Sequence, residues 1–377
     1  MTRGPRQHYF GYYDKRQFDP AGQYLLGHEC SLIGRMQKAE DVAVVGVVDL
    51  ADEDRWTPLA QTRAFNWQMG SMCEWLPGSP ERIVHNDRRD GAFVSVIRDL
   101  SGREVRALPP AAFAVSPDGR SALSVNFARL WRLRPETGYP GVEDPWGNEP
   151  APAGDGIFRV DLETGRARLI VSHEALAPHR PAGGSASTRW YFTHAAYNAD
   201  GGRFAFWYRS AEPASSALFT ADADGGGLYR LTRQGSSSHT VWQGRDRLLA
   251  WVYGGPDGSA FYRLADRTED REVFAPGVLT CNGHAVFSPD GNWLLTDRPP
   301  DAATHEQTLV LCDLRRKVCY EVGRFAAMPE LYRPDALRCD LHARWNRQGT
   351  AVCFDSTRDG SRQMYVMDVS ELVGKAR

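Results

Sequence analysis

The sequence predicts an all-β protein, and three observations support that prediction. Long helical periodicity is almost absent from the 377 residues, whereas short alternating apolar runs separated by Gly, Asp, Asn and Pro recur along the chain. One phrase, consisting of an apolar run, a tight turn and a second apolar run, occurs seven times. Most copies are followed by a second pair of strand-like runs. Four strands per unit and seven units predict a seven-bladed β-propeller.

The seven copies are recognised by their turns, five of which are clear and two degenerate. In chain order they read FDPAGQYLLGH (18–28), WLPGSPERIVHND (75–87), VSPDGRSALSV (115–125), YNADGGRFAFWY (197–208), WQGRDRLLAWVY (242–253), CNGHAVFSPDGNWLLTD (281–297) and WNRQGTAVCFD (345–355). The longest step between copies contains a Pro- and Gly-rich insert at 134–156. We therefore expect a single domain over 1–377 with one long inserted loop that shapes a site or a lid.

The two ends of the chain predict how the ring closes. The last unit ends after RQMYVMDVS (362–370) with one strand too few, and RQHYFGYYD (6–14) stands before the first turn as an extra strand. We predict that the N-terminal strand pairs with the last blade, because closure of this kind removes two exposed sheet edges.

Composition excludes some classes of partner. A formal charge of −2, from 45 basic and 47 acidic residues, argues against nucleic acid or an anionic membrane. The N-terminus does not resemble a secretory signal and no stretch resembles a membrane span, so we expect a cytoplasmic protein. Seven cysteines without a CxxC motif favour reduced thiols over a disulfide framework. The oligomeric state stays open.

One position of the repeat is rich in histidine. His284 stands six residues before Asp290 of its turn, and in chain order the equivalent residues are Lys15, Met72, Ala112, His194, His239, His284 and His342. Four of the ten histidines thus occupy the same position of the repeat, on four consecutive blades. Because the first strand of a propeller blade lines the central channel, we predict that these imidazoles lie near one mouth of it. Buried structural histidines, as in WD-repeat propellers, are the alternative.

Imidazoles that converge on a channel suit a borderline or first-row divalent ion, with a carboxylate oxygen completing the ligand set. Asp340 stands two residues before His342 and therefore lies on the same face of its strand. We predict that His284, His342 and Asp340 bind the ion. Asn282 stands in the same relation to His284, and it either supports the site or faces the substrate.

The ends of the second strands return to the same mouth and are polar. They read His28-Glu29, Asn86-Asp87, Asn126, Tyr208-Arg209, Tyr253, Asp297-Arg298 and Asp355-Ser356. For any one of them a solvated loop is the simpler explanation. Arg209 is our candidate for holding a substrate carboxylate through paired hydrogen bonds, and Asn86 is a candidate substrate contact.

Two other segments supply candidate substrate contacts. Asn66, Trp67 and Gln68 combine amides with an aromatic ring, which is typical of sugar binding, although a packed Trp is the common alternative. The insert and the segment before it supply three further polar side chains: Arg129, Arg132 and Tyr139.

The second half of the chain, roughly 190–356, resembles the oligogalacturonide lyases, seven-bladed propellers that cleave uronic-acid linkages by β-elimination. The matching elements are His239 one blade before His284, and the cluster DLH (340–342) where that family has a His-x-His metal pair. The resemblance implies His239 as the base and Mn²⁺ at His284 and His342, with Ca²⁺ and Zn²⁺ as alternatives. Asp340 stands where the family has histidine, and the family's glutamine ligand has no counterpart in this sequence. We add His194 as a second catalytic histidine.

The first half is similar to propellers related to ulvan lyases, through VHNDRRDGAFVSVIRDL (84–100) and NFARLWRLRP (126–135). Those enzymes use histidines, a tyrosine and an arginine in place of a catalytic metal. The resemblance implies that His85, Tyr139 and Arg159 are their counterparts.

The sequence therefore predicts a lyase that cleaves a uronic-acid-containing oligo- or polysaccharide, with a divalent metal and a histidine base. Removing the proton α to a uronate carboxylate needs a cation at the carboxylate and a nearby base. A metal ion bound by histidines would supply the cation, and another histidine would supply the base. The sequence contains no nucleophile elbow, phosphate-binding loop or dinucleotide fingerprint. The alternatives are a noncatalytic TolB-like or WD-like binding propeller and a glycoside hydrolase on the same scaffold.

Overall fold

The computed structural model describes residues 1–180, 185–211, 214–232, 236–328 and 337–374. Within them the chain forms seven antiparallel β-sheets, six with four strands and one with three. The strands of each sheet lie side by side in sequence order, so that every sheet is a meander. The chain is a seven-bladed β-propeller with very little helix, and the predicted fold class is confirmed.

The sheets take their strands in chain order, and the first four sheets cover the N-terminal half. Sheet 1 contains β1 (Gln7–Tyr9), β2 (Tyr24–Cys30), β3 (Ala43–Asp49) and β4 (Arg55–Thr62). Sheet 2 contains β5 (Glu74–Trp75), β6 (Arg82–Arg89), β7 (Ala92–Asp99) and β8 (Glu104–Leu108). Sheet 3 contains β9 (Ala114–Val115), β10 (Ser121–Ser124), β11 (Gly156–Asp161) and β12 (Ala167–Ser172). Sheet 4 contains β13 (Trp190–Tyr197), β14 (Arg203–Ser210), β15 (Ser215–Asp222) and β16 (Tyr229–Arg230).

The remaining three sheets cover the C-terminal part. Sheet 5 contains β17 (Ser236–Gln243), β18 (Arg247–Gly255), β19 (Gly258–Ala265) and β20 (Arg271–Val273). Sheet 6 contains β21 (Val286–Phe287), β22 (Trp293–Arg298), β23 (Glu306–Asp313) and β24 (Val318–Ala326). Sheet 7 contains β25 (Arg344–Trp345), β26 (Ala351–Ser356) and β27 (Gln363–Asp368).

The described helices are short. Helix α1 (Phe127–Leu133) follows β10, and the side chain of Asn126 caps it by accepting a hydrogen bond from Arg129 N at 2.9 Å. Helix α2 (Ser370–Gly374) follows the last strand, and 3₁₀ turns occur at Pro135–Thr137 and Ala177–His179. None of the helices in these ranges is long and apolar enough to cross a membrane.

In five of the seven sheets, the turn between the first two strands shares one hydrogen-bonding pattern. The side-chain oxygen of the first turn residue accepts from the backbone N–H five residues later, where the second strand begins. Ser288 accepts from Trp293 at 3.0 Å, and Ser116 accepts from Ser121 at 3.0 Å. The same bond is formed by Asp19 with Tyr24, Asn198 with Arg203 and Asn346 with Ala351. This local chemistry explains the repeated phrase, and the five clear turns are confirmed.

The N-terminal strand joins the first sheet, which corrects the predicted pairing with the last blade. Strand β1 lies antiparallel to the end of β2, with Tyr9 opposite His28, whereas sheet 7 keeps three strands. Phe18 pairs with the start of β2, so the end of β2 offers backbone groups that β1 satisfies. Several hydrogen bonds also link the N-terminal segment to sheet 7. They include those from His8 N to the Arg362 carbonyl at 2.8 Å and from Phe10 N to Asp355 Oδ1 at 3.0 Å.

The chain divides into two compact units. The first consists of Met1–Asp87, Val96–Arg106 and Cys281–Arg377, and the second of Arg88–Ser95 and Ala107–Thr280. Each unit has an apolar core of its own, which includes Leu311 and Phe354 in the first and Trp207 and Leu218 in the second. The expectation of one domain over 1–377 stays a prediction.

Two cysteines correct the expectation of reduced thiols. Cys312 on β23 lies directly opposite Cys319 on β24, and the two form a disulfide. The other five cysteines are free. The two strands form a hairpin, so cysteines at either side of its turn come together although the sequence contains no CxxC motif.

Candidate metal centre

The histidine position of the repeat has an uncommon backbone conformation. Met72, His194, His239 and His342 have left-handed φ angles of 54°, 53°, 40° and 43°. In sheets 4 and 5 the strand register shifts beside the histidine, as in a β-bulge. Residues other than glycine rarely adopt this conformation, so its recurrence shows that the four positions are equivalent. Because Met72 shares it, the conformation belongs to the fold and does not by itself mark a functional site.

Three of the predicted site residues lie together in the first unit. His284 lies just before β21, and Asp340 and His342 lie just before β25. A ligand atom of each lies within 4.8 Å of the other two, and all three side chains are buried. The two imidazole centroids are 4.3 Å apart, with the ring planes at 86°. The side chains expected to bind a metal are therefore neighbours.

Asp297 on β22 fixes the imidazole of His284. Its carboxylate accepts from the His284 backbone N–H at 2.7 Å and lies 2.9 Å from His284 Nδ1. Because a carboxylate accepts, Nδ1 carries the hydrogen and Nε2 is the ring nitrogen that can bind a metal. Burial alone would raise the pKa of Asp297, but its electrostatic interaction and hydrogen bonds with His284 outweigh burial and hold that pKa below its ordinary value. Asp297 thus stays ionised and orients the histidine.

A backbone carbonyl fixes the imidazole of His342. Nδ1 donates to the Gly11 carbonyl at 2.9 Å, which again leaves Nε2 for a metal. His342 Nε2 is buried, has no hydrogen-bond partner among the residues that the structure describes, and lies 3.8 Å from Asp340 Oδ2. Burial, with the nearby His284 and Arg344, lowers the pKa of His342 well below its ordinary value. The ring is therefore neutral at pH 7, as metal binding requires.

The cluster fits a divalent ion of the first transition row. Two imidazole nitrogens and a carboxylate oxygen form the mixed ligand set that manganese or zinc accepts. Ligand bonds of about 2.1 Å hold two ligand atoms at most about 4.2 Å apart. The 4.8 Å found in the cluster is only slightly longer, so small side-chain rotations would close it. Three protein ligands also leave coordination positions for a substrate oxygen or water.

Two tyrosines of the N-terminal segment cover the cluster. The ring centroid of Tyr12 lies 5.0 Å from that of His342, and the ring centroid of Tyr13 lies 5.1 Å from that of His284. Both tyrosines are buried. Arg344 holds the segment in place by donating to the Tyr12 carbonyl at 3.0 Å. The histidines are therefore shielded on this side by aromatic rings.

Gly11 allows the segment to pass close to the neighbouring chain. Its φ is +109°, and a Cβ added to it would lie 2.7 Å from the Met69 carbonyl oxygen. Any larger residue would displace the segment and, with it, the carbonyl that holds His342.

Asp340 already has a cationic partner. Arg338 Nε donates to Asp340 Oδ2 at 2.6 Å, and this is the oxygen that faces His342 Nε2 at 3.8 Å. The Arg338 side chain is 31% exposed, whereas that of Asp340 is 9% exposed. The predicted oxygen ligand is thus occupied by a guanidinium that reaches solvent.

A second ion pair of the first unit is fully buried. Arg362 donates to Asp355 Oδ2 at 2.7 Å and to the Trp67 carbonyl at 2.7 Å, and Asp355 Oδ1 accepts from Phe10 N at 3.0 Å. Burial raises the pKa of Asp355 in spite of the nearby arginines. This pair joins β26 and the residue just before β27 to the segment that follows β1.

His194 and His239 lie in the second unit. Both are half-buried, and the His194 ring stacks on Trp207 with centroids 4.9 Å apart. Arg209 is buried, donates to the Ser237 carbonyl at 3.0 Å and lies 3.7 Å above the same Trp207 ring. Its guanidinium is therefore engaged within its own unit. The catalytic roles of these three residues stay predictions.

The insert residues bind one another. Asp144 accepts from Arg132 at 3.0 Å and lies 3.5 Å from Arg129, which is 2% exposed. Tyr139 is fully buried and stacks on Phe127 with centroids 4.4 Å apart. These contacts give Arg129 and Tyr139 packing roles. A catalytic role for Tyr139 would require its buried ring to become accessible.

The second unit also contains a cavity of about 500 Å³ beside the insert. Its walls include Phe93, Phe127 and Trp146, and its acidic residues are Glu143 and Asp155. The lining residues include no basic side chain, so the cavity does not suit an anionic sugar.

Three of the residues predicted to bind substrate are buried inside the protein. Asn66 is fully buried, and its side-chain oxygen accepts from Met69 N at 2.7 Å. Trp67 donates from its indole to the Arg35 carbonyl at 3.0 Å. Asn86 is also fully buried. Substrate contact by these residues stays a prediction, and their burial favours the packing alternative.

The remaining candidates have different surroundings. Gln68 donates to the Arg338 carbonyl at 3.1 Å, which places it beside the ligand cluster. Asn282 is half-buried, two residues before the first histidine of the cluster. His85 is fully buried and Arg159 is exposed. The roles implied for His85 and Arg159 by the resemblance to ulvan lyases stay predictions.

Sequence reasoning misses four residues that contribute to the cluster. In the sequence, Asp297 is only one of several polar strand ends. Tyr12 and Tyr13 belong to the N-terminal segment, for which the sequence predicts only a closing strand. Arg338 is two residues from Asp340, so spacing alone could have suggested the pair.

The fold and the cluster together define a class: a seven-bladed β-propeller with a candidate divalent-metal centre. Among solved structures the chain is similar to an oligogalacturonate lyase in complex with manganese, with a TM-score of 0.72 and 15% identity over 99% of this chain and 93% of that chain. It is also similar to the oligogalacturonate lyase of Vibrio parahaemolyticus, with a TM-score of 0.69 and 13% identity over 98% of this chain and 93% of that chain. The resemblance to this family that the sequence indicated is confirmed for the fold.

Other propellers share the architecture. A puromycin-hydrolyzing peptidase of Mycobacterium tuberculosis is similar over 96% of this chain and 55% of that chain, with a TM-score of 0.56 and 14% identity. No family model matches the chain, and no curated protein matches it by sequence. Because these identities are low, the similarities show the fold and leave the activity to be argued from the site.

Proposed function

We propose that the protein is a divalent-metal-dependent carbohydrate lyase that cleaves uronic-acid-containing oligosaccharides by β-elimination. The observation that supports this most is the cluster of His284, His342 and Asp340, in which hydrogen bonds hold both Nδ1 atoms. A further support is that one similar structure is an oligogalacturonate lyase in complex with manganese. Manganese is therefore our first choice of ion. Zinc is the next alternative, and calcium, which prefers oxygen ligands, fits the two imidazoles least well.

In the proposed reaction a base removes the proton α to the uronate carboxylate. The C–O bond to the leaving sugar then breaks as the C=C bond forms, and the leaving oxygen takes up a proton from the protonated base or from water. A divalent ion bound to the cluster would supply a Lewis acid that stabilises the charge developing at that carboxylate. The protein's own residues prepare the site: Asp297 keeps His284 in the ligating tautomer, and burial keeps His342 neutral. The covering tyrosines limit the access of water, which strengthens electrostatic interactions inside.

The base is the second part of the proposal. We assign it to a histidine, with His239 first and His194 second, on the resemblance of the sequence to the oligogalacturonide lyases. The structure adds that His239 is half-buried and has a left-handed backbone.

An absorbance assay tests the reaction class. Metal-stripped protein is supplied with Mn²⁺, Ca²⁺ or Zn²⁺ and incubated with oligogalacturonate and with other uronides. We expect ultraviolet absorbance from an unsaturated uronate product with at least one uronide, and no absorbance after chelation. New reducing ends without absorbance would instead indicate a glycoside hydrolase. Metal binding without turnover of any uronide would indicate a binding propeller.

A matched pair of variants connects the activity to the cluster. His284→Gln removes a ligand, whereas His305→Gln changes an exposed histidine of the same unit. We expect His284→Gln to lose near-stoichiometric manganese, measured by elemental analysis, together with the activity. His305→Gln should retain both. Full activity in a metal-free His284→Gln protein would refute the metal-dependent mechanism.

A further inference from the structure

Arg338 occupies the oxygen that a metal ion would need. Its Nε donates to Asp340 Oδ2 at 2.6 Å, and the same oxygen lies 3.8 Å from His342 Nε2. We propose that Arg338 is an intramolecular competitor of the divalent ion, so that the guanidinium and the ion exchange at Asp340 and this exchange sets the metal affinity. The inference rests on the proposed metal centre and adds a residue that weakens binding to it.

The local geometry allows the exchange. Arg338 and Asp340 stand two residues apart just before β25, and the Arg338 carbonyl is held by Gln68 Nε2 at 3.1 Å. The backbone of Arg338 is thus fixed while 31% of its side chain is exposed to solvent. Water can therefore reach the Arg338 side chain on its exposed side.

The ion pair of Arg362 and Asp355 differs from that of Arg338 and Asp340 because both of its side chains are buried. The side chains of Arg362 and Asp355 are 4% and 0% exposed, and Arg362 also donates to a backbone carbonyl. Breaking that pair would leave two charges in the interior. The Arg338 side chain is 31% exposed, so its charge would stay in contact with water if the ion pair with Asp340 broke.

The positive charge of Arg338 always opposes the binding of a divalent cation to Asp340. Arginine stays protonated throughout the pH range in which proteins fold, so its charge is always present. A divalent ion at the cluster would replace the Arg338 hydrogen bond at Asp340 Oδ2 or share the oxygen with a like charge a few ångströms away. Either arrangement costs free energy, and removal of the guanidinium should therefore tighten metal binding.

A calorimetric titration with Mn²⁺ alone tests the proposal on the full-length, metal-stripped protein. The test variant is Arg338→Gln. Its control is Arg324→Gln, which makes the same change in net charge at an exposed pair with Glu321 in the same unit. We expect Arg338→Gln to bind Mn²⁺ about tenfold more tightly than the wild type, and Arg324→Gln to bind within about twofold of it. Equal or weaker binding by Arg338→Gln would overturn the proposal.

A double-mutant cycle separates competition from general repulsion. In an Asp340→Asn background the two residues no longer form an ion pair, so Arg338→Gln should tighten binding much less than in the wild type. An equal gain in both backgrounds would mean that Arg338 only repels the ion through space, and exchange at Asp340 would be wrong. Circular dichroism and thermal unfolding of each variant confirm that the fold is retained.

The same titration distinguishes failure of this inference from failure of the proposed function. Tight binding of Mn²⁺ by wild type and Arg338→Gln with equal affinity would overturn the inference and leave the lyase proposal standing. The expected gain in a protein that cleaves no uronide would support the exchange and sink the lyase proposal. Absence of Mn²⁺ binding by every protein would overturn both.

Discussion

Asp297 shows, at the scale of the residue, how the candidate site depends on a side chain outside the ligand cluster. It contacts both the backbone N–H and the Nδ1 of His284, so it fixes the position and the tautomer of the ring together. A ligating histidine usually has such a partner, and the partner increases the basicity of the ligand. The metal affinity of the cluster should therefore depend on Asp297 almost as strongly as on the histidine.

We predict that Asp297→Ala weakens Mn²⁺ binding by about 10- to 100-fold, because His284 loses its orientation. Asp297→Asn keeps an acceptor but loses the charge, so its effect should be smaller. Titration calorimetry of the metal-stripped proteins measures both. Wild-type affinity in Asp297→Ala would mean that the contact with His284 is only structural.

His28 makes the stability of the protein depend on pH. It is fully buried, its Nδ1 lies 3.2 Å from the Tyr9 carbonyl, and burial lowers its pKa to about 3. In the unfolded chain the pKa is 6.5, so between these values the unfolded state binds more protons. Stability contributed by neutral His28 is complete above the unfolded pKa and is lost as the pH falls toward the folded pKa. His342, whose pKa is also lowered, acts in the same direction.

We therefore predict that the free energy of unfolding falls by about 1.4 kcal/mol per pH unit for each such histidine below about pH 6. Urea titrations at a series of pH values measure this slope. His28→Gln should make the slope shallower even if it also lowers stability, whereas the exposed His305→Gln should leave it unchanged. A slope that is equal in wild type and His28→Gln would contradict the assignment.

The residues found from the sequence and those missed differ in how they are connected. His284 and His342 were found because they occupy one phase of a repeat, which is a property of the sequence itself. Asp297 meets His284 across two strands, 13 positions away, and nothing in the spacing indicates which strand end faces which histidine. Burial of Tyr139 was missed for the same reason, because stacking on Phe127 depends on the path of the insert.

At the scale of the element, the first turn is a self-contained unit in the five sheets that carry the clear turn phrase. The side-chain oxygen of its first residue binds the backbone five residues later, as at Ser288 and Asn346, so serine, asparagine and aspartate are interchangeable there. All the information lies within six residues. This is why the turns, and through them the number of blades, could be predicted from the sequence.

We predict that Ser288→Ala lowers the free energy of unfolding by about 1 kcal/mol, because the Trp293 N–H loses its acceptor. Ser288→Asn should restore most of that loss, since asparagine performs the same role at position 346. Equilibrium denaturation of the three proteins compares them. Equal stability of the alanine and asparagine variants would show that the side-chain bond contributes little.

At the scale of the whole molecule, the seven sheets were predictable and the use of the N-terminus was not. The count of strands indicated that the last sheet lacks one, but β1 pairs along the end of β2 and reaches sheet 7 through His8 and Phe10. Strand β1 could pair either with β2 of sheet 1 or with the last strand of sheet 7. The choice depends on where β2 has unpaired backbone groups, which the sequence pattern does not show.

We predict that Arg362→Leu lowers the free energy of unfolding by about 3 kcal/mol or more, because Asp355 loses its buried partner and Trp67 its donor. The control, Arg358→Gln, changes an exposed arginine of the same unit and should have little effect. Chemical denaturation measures both variants. A small loss in Arg362→Leu would mean that protonation of Asp355 compensates.

At His239 the left-handed backbone conformation favours glycine, whereas the proposed reaction needs an imidazole. Only glycine adopts a φ of +40° without steric cost, so an imidazole is retained there against the preference of the chain. His239→Gly should therefore melt at the same or a higher temperature than the wild type. If the half-buried ring is the base, the same protein should be inactive, and this would be a trade-off between stability and activity within one residue.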